Sequence, residues 1–290
     1  MKYVFIMENK KFYTIEMMCR VMKVSRSAYH RWQSGKTFKR ENRKKNMKSE
    51  IQDIYFEHKQ RYGSPRIAAE LRAIGKPTSV QTVAKYMREL GLRSKRSKKY
   101  VVTTDSKHNN RVFDNVLDRR FNDWLPHGAW VSDITYLQTK DGWLYQTAII
   151  DLFDRKVIGW SHSEGLTAEE TTLAAFRMAI KNRPPAKGLI FHSDRGIQYS
   201  CSRFVNLLAS YGITQSMCRK GNCWDNAVAE SFFKTLKSEL IYGNKLVSKE
   251  QMKLMLFEYV EIYYNQNRRH SALGNLTINE FTELIFKNVA

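Results

Sequence analysis

Apolar positions in the first part of the chain recur at the spacing of short amphipathic helices. Four of them stand at i, i+3, i+4 and i+7: Ile15, Met18, Cys19 and Met22. After a short break comes Ser25, which suits the N-cap of a second helix. This pattern predicts a helix-turn-helix unit, in which the second helix contacts DNA.

Two later segments, YGSPRIAAELRAIG and TSVQTVAKYMRELG, show the same pattern with clearer ends. In the first segment Ser64 is the predicted N-cap, Pro65 the first helical residue and Gly75 the stop. In the second, Ser79 is the predicted N-cap and Gly91 the terminator. The stripes predicted to be buried are Ile67, Leu71 and Ile74 in the first helix, and Val80, Val83 and Met87 in the second.

Beyond these helices, the basic run RSKRSKK and the polar VVTTDSKHNN lack periodicity and predict a linker. From about residue 126, WVSDITYL, WLYQTAIID and KVIGWSHS predict three antiparallel strands. A helix from about 168 to 182 follows, and then the strand GLIFHS, the helix SRFVNLLASYG, the strand ITQSM and a last helix. This order is typical of an RNase H-like fold, in which the first and fourth strands are neighbours.

The predicted fold class is therefore an α/β (α+β) RNase H-like core preceded by all-α helix-turn-helix units. The predicted division of the chain is a helix-turn-helix unit at 1–45, a second helical DNA-binding unit at 46–95, a basic linker at 96–125 and the core at 126–285.

Charge is distributed unevenly between these parts. The chain has 49 Lys and Arg against 28 Asp and Glu, a net charge of +21. Residues 1 to 120 hold 30 of the basic and 11 of the acidic side chains. Such a basic segment is typical of a phosphate-binding surface with salt-dependent affinity, which favours nucleic acid as the partner. The alternative is a solvated, disordered basic arm.

Three carboxylates lie where the predicted core would bring them together. Asp133 is in the strand WVSDITYL, Asp194 ends the apolar run LIFHSD, and Glu230 is in the helix AVAESFFKTLKSEL. Hard divalent cations take oxygen ligands, and two of them about 3.5–4 Å apart promote phosphodiester displacement. We therefore predict a site for two Mg²⁺ ions, with Mn²⁺ as a substitute, and DNA cleavage without a covalent enzyme intermediate.

The helix that carries Glu230 has two distinct faces. An apolar stripe steps along it at i+4: Val228, Phe232, Leu236 and Leu240. Glu230, Lys234 and Lys237 cluster on another face, which suits a carboxylate at the metals with a lysine near a phosphate. The alternative is an ordinary surface Glu–Lys pair. Asp225 is the rival carboxylate, and its place before the helix predicts an N-cap.

Several strings resemble one known family. WVSDITYL, GWLYQTAIIDLFDRKVIGW, HSDRGIQY, GNCWDNAVAESFFKTLK and YYNQNRRHSALG are similar to the integrase core of the OrfB transposases of the insertion-sequence-three family. MKYVFI, MCRVMKVSRSAY, RYGSPRI and RELGLRSK extend the resemblance to the N-terminus. The chain departs from the family at Arg268–His270, where RPH is common, and at Ile278, where a proline is common.

This resemblance implies that Asp133, Asp194 and Glu230 are the DDE triad of a DNA transposase, with the characteristic 35-residue gap before the glutamate. It implies 3′-end cleavage and strand transfer at insertion-sequence ends, through a joined circular intermediate. It marks Lys237 as a contact to the transposon end. It also implies an OrfA partner or fusion that supplies an oligomerisation helix, since no sustained heptad repeat is present here.

The predicted partner is double-stranded DNA, both transposon ends and target, bound by a homo-oligomer. The predicted DNA contacts are Lys237, Lys234, Arg195, Gln198, Asn222, Arg26, His30, Arg31, Arg66, Arg93, Lys95 and Arg96. Trp224 is expected either to face the DNA or to anchor the core. Asp151 and Asp154 are expected in turn roles, and His192 either supports the metal ligands or is a satisfied strand histidine.

Other classes are less consistent with the sequence. No stretch approaches the 18 to 20 apolar residues of a membrane span, and the apolar run at the start of the sequence is too short for a secretory signal. These observations predict a cytoplasmic, nucleoid-associated protein. The four cysteines match no disulfide framework and no zinc spacing, so buried thiols are expected. Two alternatives stay open: a non-catalytic DNA-binding regulator of a longer transposase fusion, and an RNase H-like nuclease that only hydrolyses.

Overall fold

The computed structural model describes residues 1–95, 111–122 and 124–287, without the side chains of residues 36–39 and 223. Arg96, a predicted DNA contact, lies outside the described residues, as does most of the predicted basic linker. The chain divides into two compact units, Met1–Ser94 and Lys95–Ala290.

The first unit is helical. Its helices are α1 (Lys2–Asn9), α2 (Ile15–Val21), α3 (Arg26–Gln33), α4 (Lys36–Glu57), α5 (Ser64–Ala73) and α6 (Val80–Glu89). Ser25 caps α3 by accepting a hydrogen bond from Ala28 N, as predicted. Met18 and Cys19 of α2 pack with Ile6 and Tyr29 in a small core, which confirms the predicted helix pair. The sequence patterns had not indicated α1 or the long α4.

In α5 and α6 the predicted apolar stripes are confirmed in part. Ile67, Leu71, Val83 and Met87 are buried, and Ser79 caps α6 by accepting from Thr82 N at 3.2 Å. Ile74 is 56% exposed because it is the C-cap residue of α5, where the chain turns away at Gly75. Val80 is 39% exposed because it begins α6, ahead of the buried side of the helix. Both predictions of burial were wrong.

The predicted cap of α5 was also wrong. Ser64 is the first helical residue and makes no side-chain capping bond, while Gly63 occupies the N-cap position in an extended conformation. Pro65 remains in the first turn, as expected, because its missing N–H has no partner to lose there.

The second unit is built on one five-stranded sheet. Its strands are β1 (Ala129–Thr139), β2 (Gly142–Asp151), β3 (Val157–Ser163), β4 (Ile190–Ser193) and β5 (Thr214–Met217). They lie in the order β3-β2-β1-β4-β5. The pairs β1–β2 and β2–β3 are antiparallel, whereas β1–β4 and β4–β5 are parallel. The predicted meander and the predicted pairing of the first and fourth strands are therefore confirmed.

Helices cover both faces of this sheet. They are α7 (Ala174–Asn182), which continues a π-helical turn at Glu169–Leu173, α8 (Ile197–Ser200), α9 (Ser202–Ser210), α10 (Ala227–Leu236), α11 (Lys249–Phe257) and α12 (Ile278–Lys287). One core packs Val131 and Leu137 of β1 against α10 and α11, and the other packs Trp130 against α7 and α9. The side-chain alternation of a strand thus divides β1 between two cores. The sheet order and the helices on both faces define the RNase H-like fold.

Gly159 of β3 shows how closely α7 approaches the sheet. A Cβ at this position would lie 2.3 Å from the carbonyl oxygen of Ala175 and 2.7 Å from the Cβ of Ala179. Only a glycine lets the helix backbone pack directly on the strand.

Part of the segment predicted as linker is packed against the core. The N–H groups of Val116 and Leu117 donate to Ser216 Oγ at 2.9 and 3.2 Å, and Leu117 is fully buried. In the first unit, α4 runs through position 45, where a boundary was expected. The four-part division of the chain stays a prediction.

Within the ranges described, none of the helices has both the length and the hydropathy needed to cross a membrane.

Candidate active site

The sheet brings Asp133 and Asp194 to neighbouring positions. In the parallel pair β1–β4, Val131 is paired with His192. Asp133 follows Val131 by two positions along β1 and so shares its face of the sheet, and Asp194 comes directly after Ser193, the last residue of β4. The two aspartates therefore start from neighbouring strands, just beyond the last paired residues of β1 and β4.

The helix α10 brings Glu230 over the same face of the sheet. Phe232 and Leu236 are buried against the Val131 side of β1, which fixes α10 on this face. At the start of the helix, Asn226 Nδ2 donates to the carbonyl oxygen of Ser132 at 2.9 Å, one residue before Asp133. The predicted apolar stripe is confirmed, and Glu230 is half-buried on a different side of the helix.

Burial and neighbouring negative charges raise the pKa values of Asp133 and Glu230. Burial raises the pKa of Asp133 well above its usual range, and the nearby Asp194 and then Glu230 raise this pKa further. Burial, followed by Asp194, also raises the pKa of Glu230. Like charges gathered in a partly buried site disfavour ionisation of each other, and a bound cation would remove that penalty.

Two backbone donors fix the orientation of the aspartates. Asp133 Oδ1 accepts from the N–H of Ile134 at 2.8 Å, and Asp194 Oδ1 accepts from the N–H of Gly196 at 2.9 Å. Oxygen donors of this type fit hard cations such as Mg²⁺. Across the ranges that the structure describes, no three His, Cys, Asp or Glu side chains lie close enough to enclose a single ion.

Lys237 is close enough to Asp133 for the two charges to interact. It begins a π-helical turn, Lys237–Ile241, that continues α10. It is half-buried, and burial lowers its pKa while the charge of Asp133 acts in the opposite direction. Lys234, one turn earlier, is exposed. The two lysines therefore differ in environment, and Lys237 is the one whose charge reaches the site.

Asp225 does not cap the helix, which corrects the sequence prediction. It is fully buried and belongs to a 3₁₀ turn, Cys223–Asn226, and α10 has no side-chain cap. Arg219 binds it through Nε and Nη2, and Arg119 Nε donates to Asp225 Oδ1 at 2.7 Å. These arginines hold its pKa far below its usual range, with the hydrogen bonds of Arg219 as the largest cause. Both carboxylate oxygens of Asp225 therefore accept hydrogen bonds that hold the loop before α10.

The other predicted contacts of the core are held by internal bonds. Arg195 Nε donates to the carbonyl oxygen of Cys218 at 2.7 Å, and Gln198 Nε2 donates to that of Leu166 at 3.0 Å. Asn222 Oδ1 accepts from Arg119 Nη2 at 2.8 Å. Their DNA contacts stay predictions.

The structure decides between the alternatives that the sequence left open for Trp224 and His192. Trp224 is 69% exposed, which rules out a core anchor. Buried His192 bonds through Nδ1 to Ser216 Oγ at 2.9 Å and through Nε2 to Cys218 Sγ at 3.5 Å, so it is a satisfied strand histidine. Its pKa is lowered to about 4, chiefly by burial.

Asp151 and Asp154 are also structural. Arg183 Nη1 lies 2.7 Å from Asp151 Oδ2, and Arg183 Nη2 lies 2.7 Å from Asp154 Oδ2. Each aspartate in addition accepts a backbone N–H of its turn, from Phe153 and Lys156 respectively, as the turn roles require.

The sequence reasoning missed Tyr199. This residue is buried on α8 and its hydroxyl lies 2.8 Å from Ser132 Oγ. Burial, and then the charges of Asp133 and Asp194, raise its pKa well above the usual range, so it stays a neutral phenol beside the aspartates. Its position five residues after Asp194, in the string HSDRGIQY, was the signal available in the sequence.

The predicted contacts of the N-terminal part are mostly at the surface. Arg26, His30 and Arg31 are exposed on α3, although Arg26 also reaches Glu16 at 3.5 Å. Arg66 lies over the ring of Tyr62, Arg93 is exposed, and Lys95 is half-buried with its Nζ 3.5 Å from the carbonyl oxygen of Glu239. Their roles stay predictions.

Comparison with known proteins agrees with this fold. The integrase core domain family matches residues 125–223 and again 211–277, and an HTH-like domain family matches residues 41–100. Transposase InsF for insertion sequence IS3A, from Escherichia coli (strain K12), is 40% identical over 292 residues, with 100% of both chains covered. The insertion element IS600 uncharacterized 31 kDa protein, from Shigella sonnei, is 38% identical over 92% of this chain and 97% of its own.

Among solved structures, the HTLV-2 integrase catalytic core domain in complex with magnesium is 20% identical and covers 55% of this chain and 99% of its own, at a TM-score of 0.41. The assignment rests on the family matches and the sheet order, which define the protein as a DNA-cutting and DNA-joining polynucleotidyl transferase with an integrase core. The chain belongs to the IS3 family of insertion-sequence transposases.

Proposed function

We propose that Asp133, Asp194 and Glu230 are the catalytic carboxylates of this transposase and that they hold two Mg²⁺ ions. The site would cut one strand at each end of the element to expose a 3′ hydroxyl, and then direct that hydroxyl against a second phosphodiester. The observation that carries this proposal is that Asp133 and Asp194 lie at the neighbouring strands β1 and β4, and that α10, which carries Glu230, is anchored to β1 next to Asp133.

The donor set suits two ions. In such a site the ligands are divided, so that no single ion is enclosed by all three side chains, and a carboxylate between the ions can bind both. When bound, two hard cations activate the attacking oxygen and stabilise the leaving one. Mn²⁺, which also accepts oxygen ligands, would substitute.

The chain's own residues supply orientation and charge. The N–H groups of Ile134 and Gly196 hold Asp133 and Asp194 in place, and Asn226 anchors the helix of Glu230 to β1. Lys237 places a positive charge beside Asp133, where it would bind a phosphate next to the scissile bond. No side chain need form a covalent bond with DNA in this scheme.

DNA binding is divided between the two units in this proposal. The HTH-like domain match implies that the first unit binds DNA. The contacts proposed for the ends and the target are Arg26, His30, Arg31, Arg66, Arg93, Lys95 and Arg96 in the N-terminal part, and Lys234, Lys237, Arg195, Gln198 and Asn222 in the core. A homo-oligomer on DNA, an OrfA partner or fusion and an association with the nucleoid belong to the same proposal.

Isosteric amides test the site. Asp133→Asn, Asp194→Asn and Glu230→Gln should each abolish cutting and joining of duplex oligonucleotides that carry the ends of the element, while DNA binding persists. Titration of Mg²⁺ or Mn²⁺ in a calorimeter should show weakened metal binding in the same variants. Glu250→Gln, in the first turn of α11, is the matched control and should behave as the unsubstituted chain. Joining at the normal rate by Glu230→Gln would overturn the proposal.

A further inference from the structure

The second half of the first unit contains a basic surface that the predicted DNA contacts do not include. The helices α5 and α6 form a helix-turn-helix pair through Gly75, and α4 packs against both. A groove of about 540 Å³ runs between α4 and α6. The unit as a whole holds 22 basic and 8 acidic side chains, so an anionic partner is favoured.

The side of α6 that faces away from the core is polar and unengaged. Val83 and Met87 are buried, while Gln81 and Lys85, one turn apart, are exposed. In the part of the chain that the structure describes, neither Gln81 nor Lys85 takes part in a hydrogen bond or an ion pair. Both side chains are therefore available to a ligand without breaking an existing contact.

The groove beside them is lined for a phosphate backbone. Arg40, Arg43 and Lys44 of α4 face Lys85 of α6 across it, with Glu41 as the acidic member of the lining. Lys44 is already paired with Glu89 at 3.1 Å, whereas Arg43 has no ion pair within the described residues. The hydroxyl residues Thr78 and Thr82 lie at the α6 side of the groove. Arginine and hydroxyl donors are the usual partners of DNA phosphates.

We propose that α6 is the DNA-reading helix of the second helix-turn-helix pair, with Gln81 and Lys85 contacting base edges and Arg43 binding an adjacent phosphate. In such pairs the second helix enters the major groove and its first turns contact the bases. Gln81 is the second residue of α6 and Lys85 follows one turn later. Gln suits the N6 and N7 atoms of adenine, and Lys suits the O6 and N7 atoms of guanine.

The inference deepens the proposed function, because it rests on DNA binding by this transposase. It is tested with the full chain and duplex oligonucleotides that carry a randomised central segment, by selecting bound sequences and measuring the affinity for each base. Gln81→Ala should lose a preference for adenine of about tenfold or more at one position, and Lys85→Ala a similar preference for guanine. The remaining base preferences should be unchanged.

Arg43→Ala should behave differently, because a phosphate contact carries no sequence information. It should weaken binding to every sequence alike and reduce the slope of log affinity against log salt by about 0.9. Arg72→Ala is the matched control, since Arg72 is exposed on α5 outside the groove. Arg72→Ala should leave the base preferences, the overall affinity and the slope of log affinity against log salt unchanged.

Base profiles of Gln81→Ala and Lys85→Ala that equal the unsubstituted profile would overturn the inference, as would an unsubstituted chain without any base preference. Failure of the proposed catalytic site is a separate result. It would appear as normal metal-dependent cutting and joining by the Asp133→Asn, Asp194→Asn or Glu230→Gln variants, which leave α6 unchanged.

Discussion

Replacing Asp133 by Asn should stabilise the metal-free protein, although it removes a proposed metal ligand. Asp133 is surrounded by like charges from Asp194 and Glu230, and burial adds to its unfavourable ionisation. Two like unit charges about 4–6 Å apart repel by roughly 3–4 kcal/mol at an effective dielectric constant of about 20. Asp133 keeps part of its surface exposed, which screens this repulsion, so we expect a gain of about 1–2 kcal/mol. The amide oxygen of asparagine can still accept the N–H of Ile134.

The assay is thermal unfolding of the full chain in a chelator and then in excess Mg²⁺. For a unit of this size 1 kcal/mol shifts Tm by about 2–4 °C, so Asp133→Asn should melt higher than the unsubstituted chain in the chelator. Metal at 100 times its Kd should raise the stability of the unsubstituted chain by about 2.7 kcal/mol and leave the variant nearly unchanged, which reverses the order. Glu250→Gln should follow the unsubstituted chain in both conditions.

The pH dependence has a defined sign. The pKa of Asp133 is higher in the folded chain than in the unfolded chain, so its contribution to stability is fully present below the unfolded pKa and is lost as pH rises through the folded pKa. Without metal, the advantage of Asp133→Asn should therefore grow as pH rises from about 4, the ordinary value of an aspartate. A variant that is less stable than the unsubstituted chain at neutral pH in chelator would refute the reasoning.

Three further predictions follow from the charges and the core. A fragment of residues 1–110 should retain most of the affinity for duplex DNA, and its log affinity should fall linearly with log salt. The remaining residues should bind weakly, and equal affinity of the two parts would contradict this prediction. Lys237→Ala should weaken binding of the transposon ends and reduce the slope of log affinity against log salt by about 0.9, whereas Lys187→Ala, on an exposed loop, should do neither. Unchanged end affinity at every salt concentration would favour a merely solvated helix face. Glu239→Gln leaves buried Arg268 without its ion pair and should lower the free energy of unfolding by about 3–5 kcal/mol in urea titrations; a loss below about 1 kcal/mol would contradict a buried pair.

Local patterns in the sequence were sufficient for the core. Alternation and β-branched residues located β1 to β3, and the order of the elements gave the pairing of β1 with β4 that brings Asp133 and Asp194 together. The i+4 stripe of α10 correctly indicated which side of the helix is buried. These features depend on neighbours along the chain, and a period of 2 or 3.6 residues records them directly.

Contacts between distant residues were not accessible in the same way. Asp225 resembled an N-cap because of its place before a helix, yet Arg119, 106 residues away, and Arg219 pair with it. Tyr199 contacts Ser132, 67 residues away in the chain, because α8 packs into the same core as Trp130 of β1. α4 was missed because its first half is charged on all sides, so no apolar stripe marks it. Such features depend on tertiary packing, which overrides local preference.

Exchange of a metal ligand tests the central claim most directly. In Asp133→Cys the carboxylate is replaced by a soft thiolate, which binds Mg²⁺ poorly and binds Cd²⁺ or Mn²⁺ better. If Asp133 holds a catalytic metal, this variant should not cut or join duplex ends in Mg²⁺ and should regain cutting in Cd²⁺ or Mn²⁺, while Glu250→Cys should be active in Mg²⁺. Cutting by Asp133→Cys in Mg²⁺ at the rate of the unsubstituted chain would contradict the account.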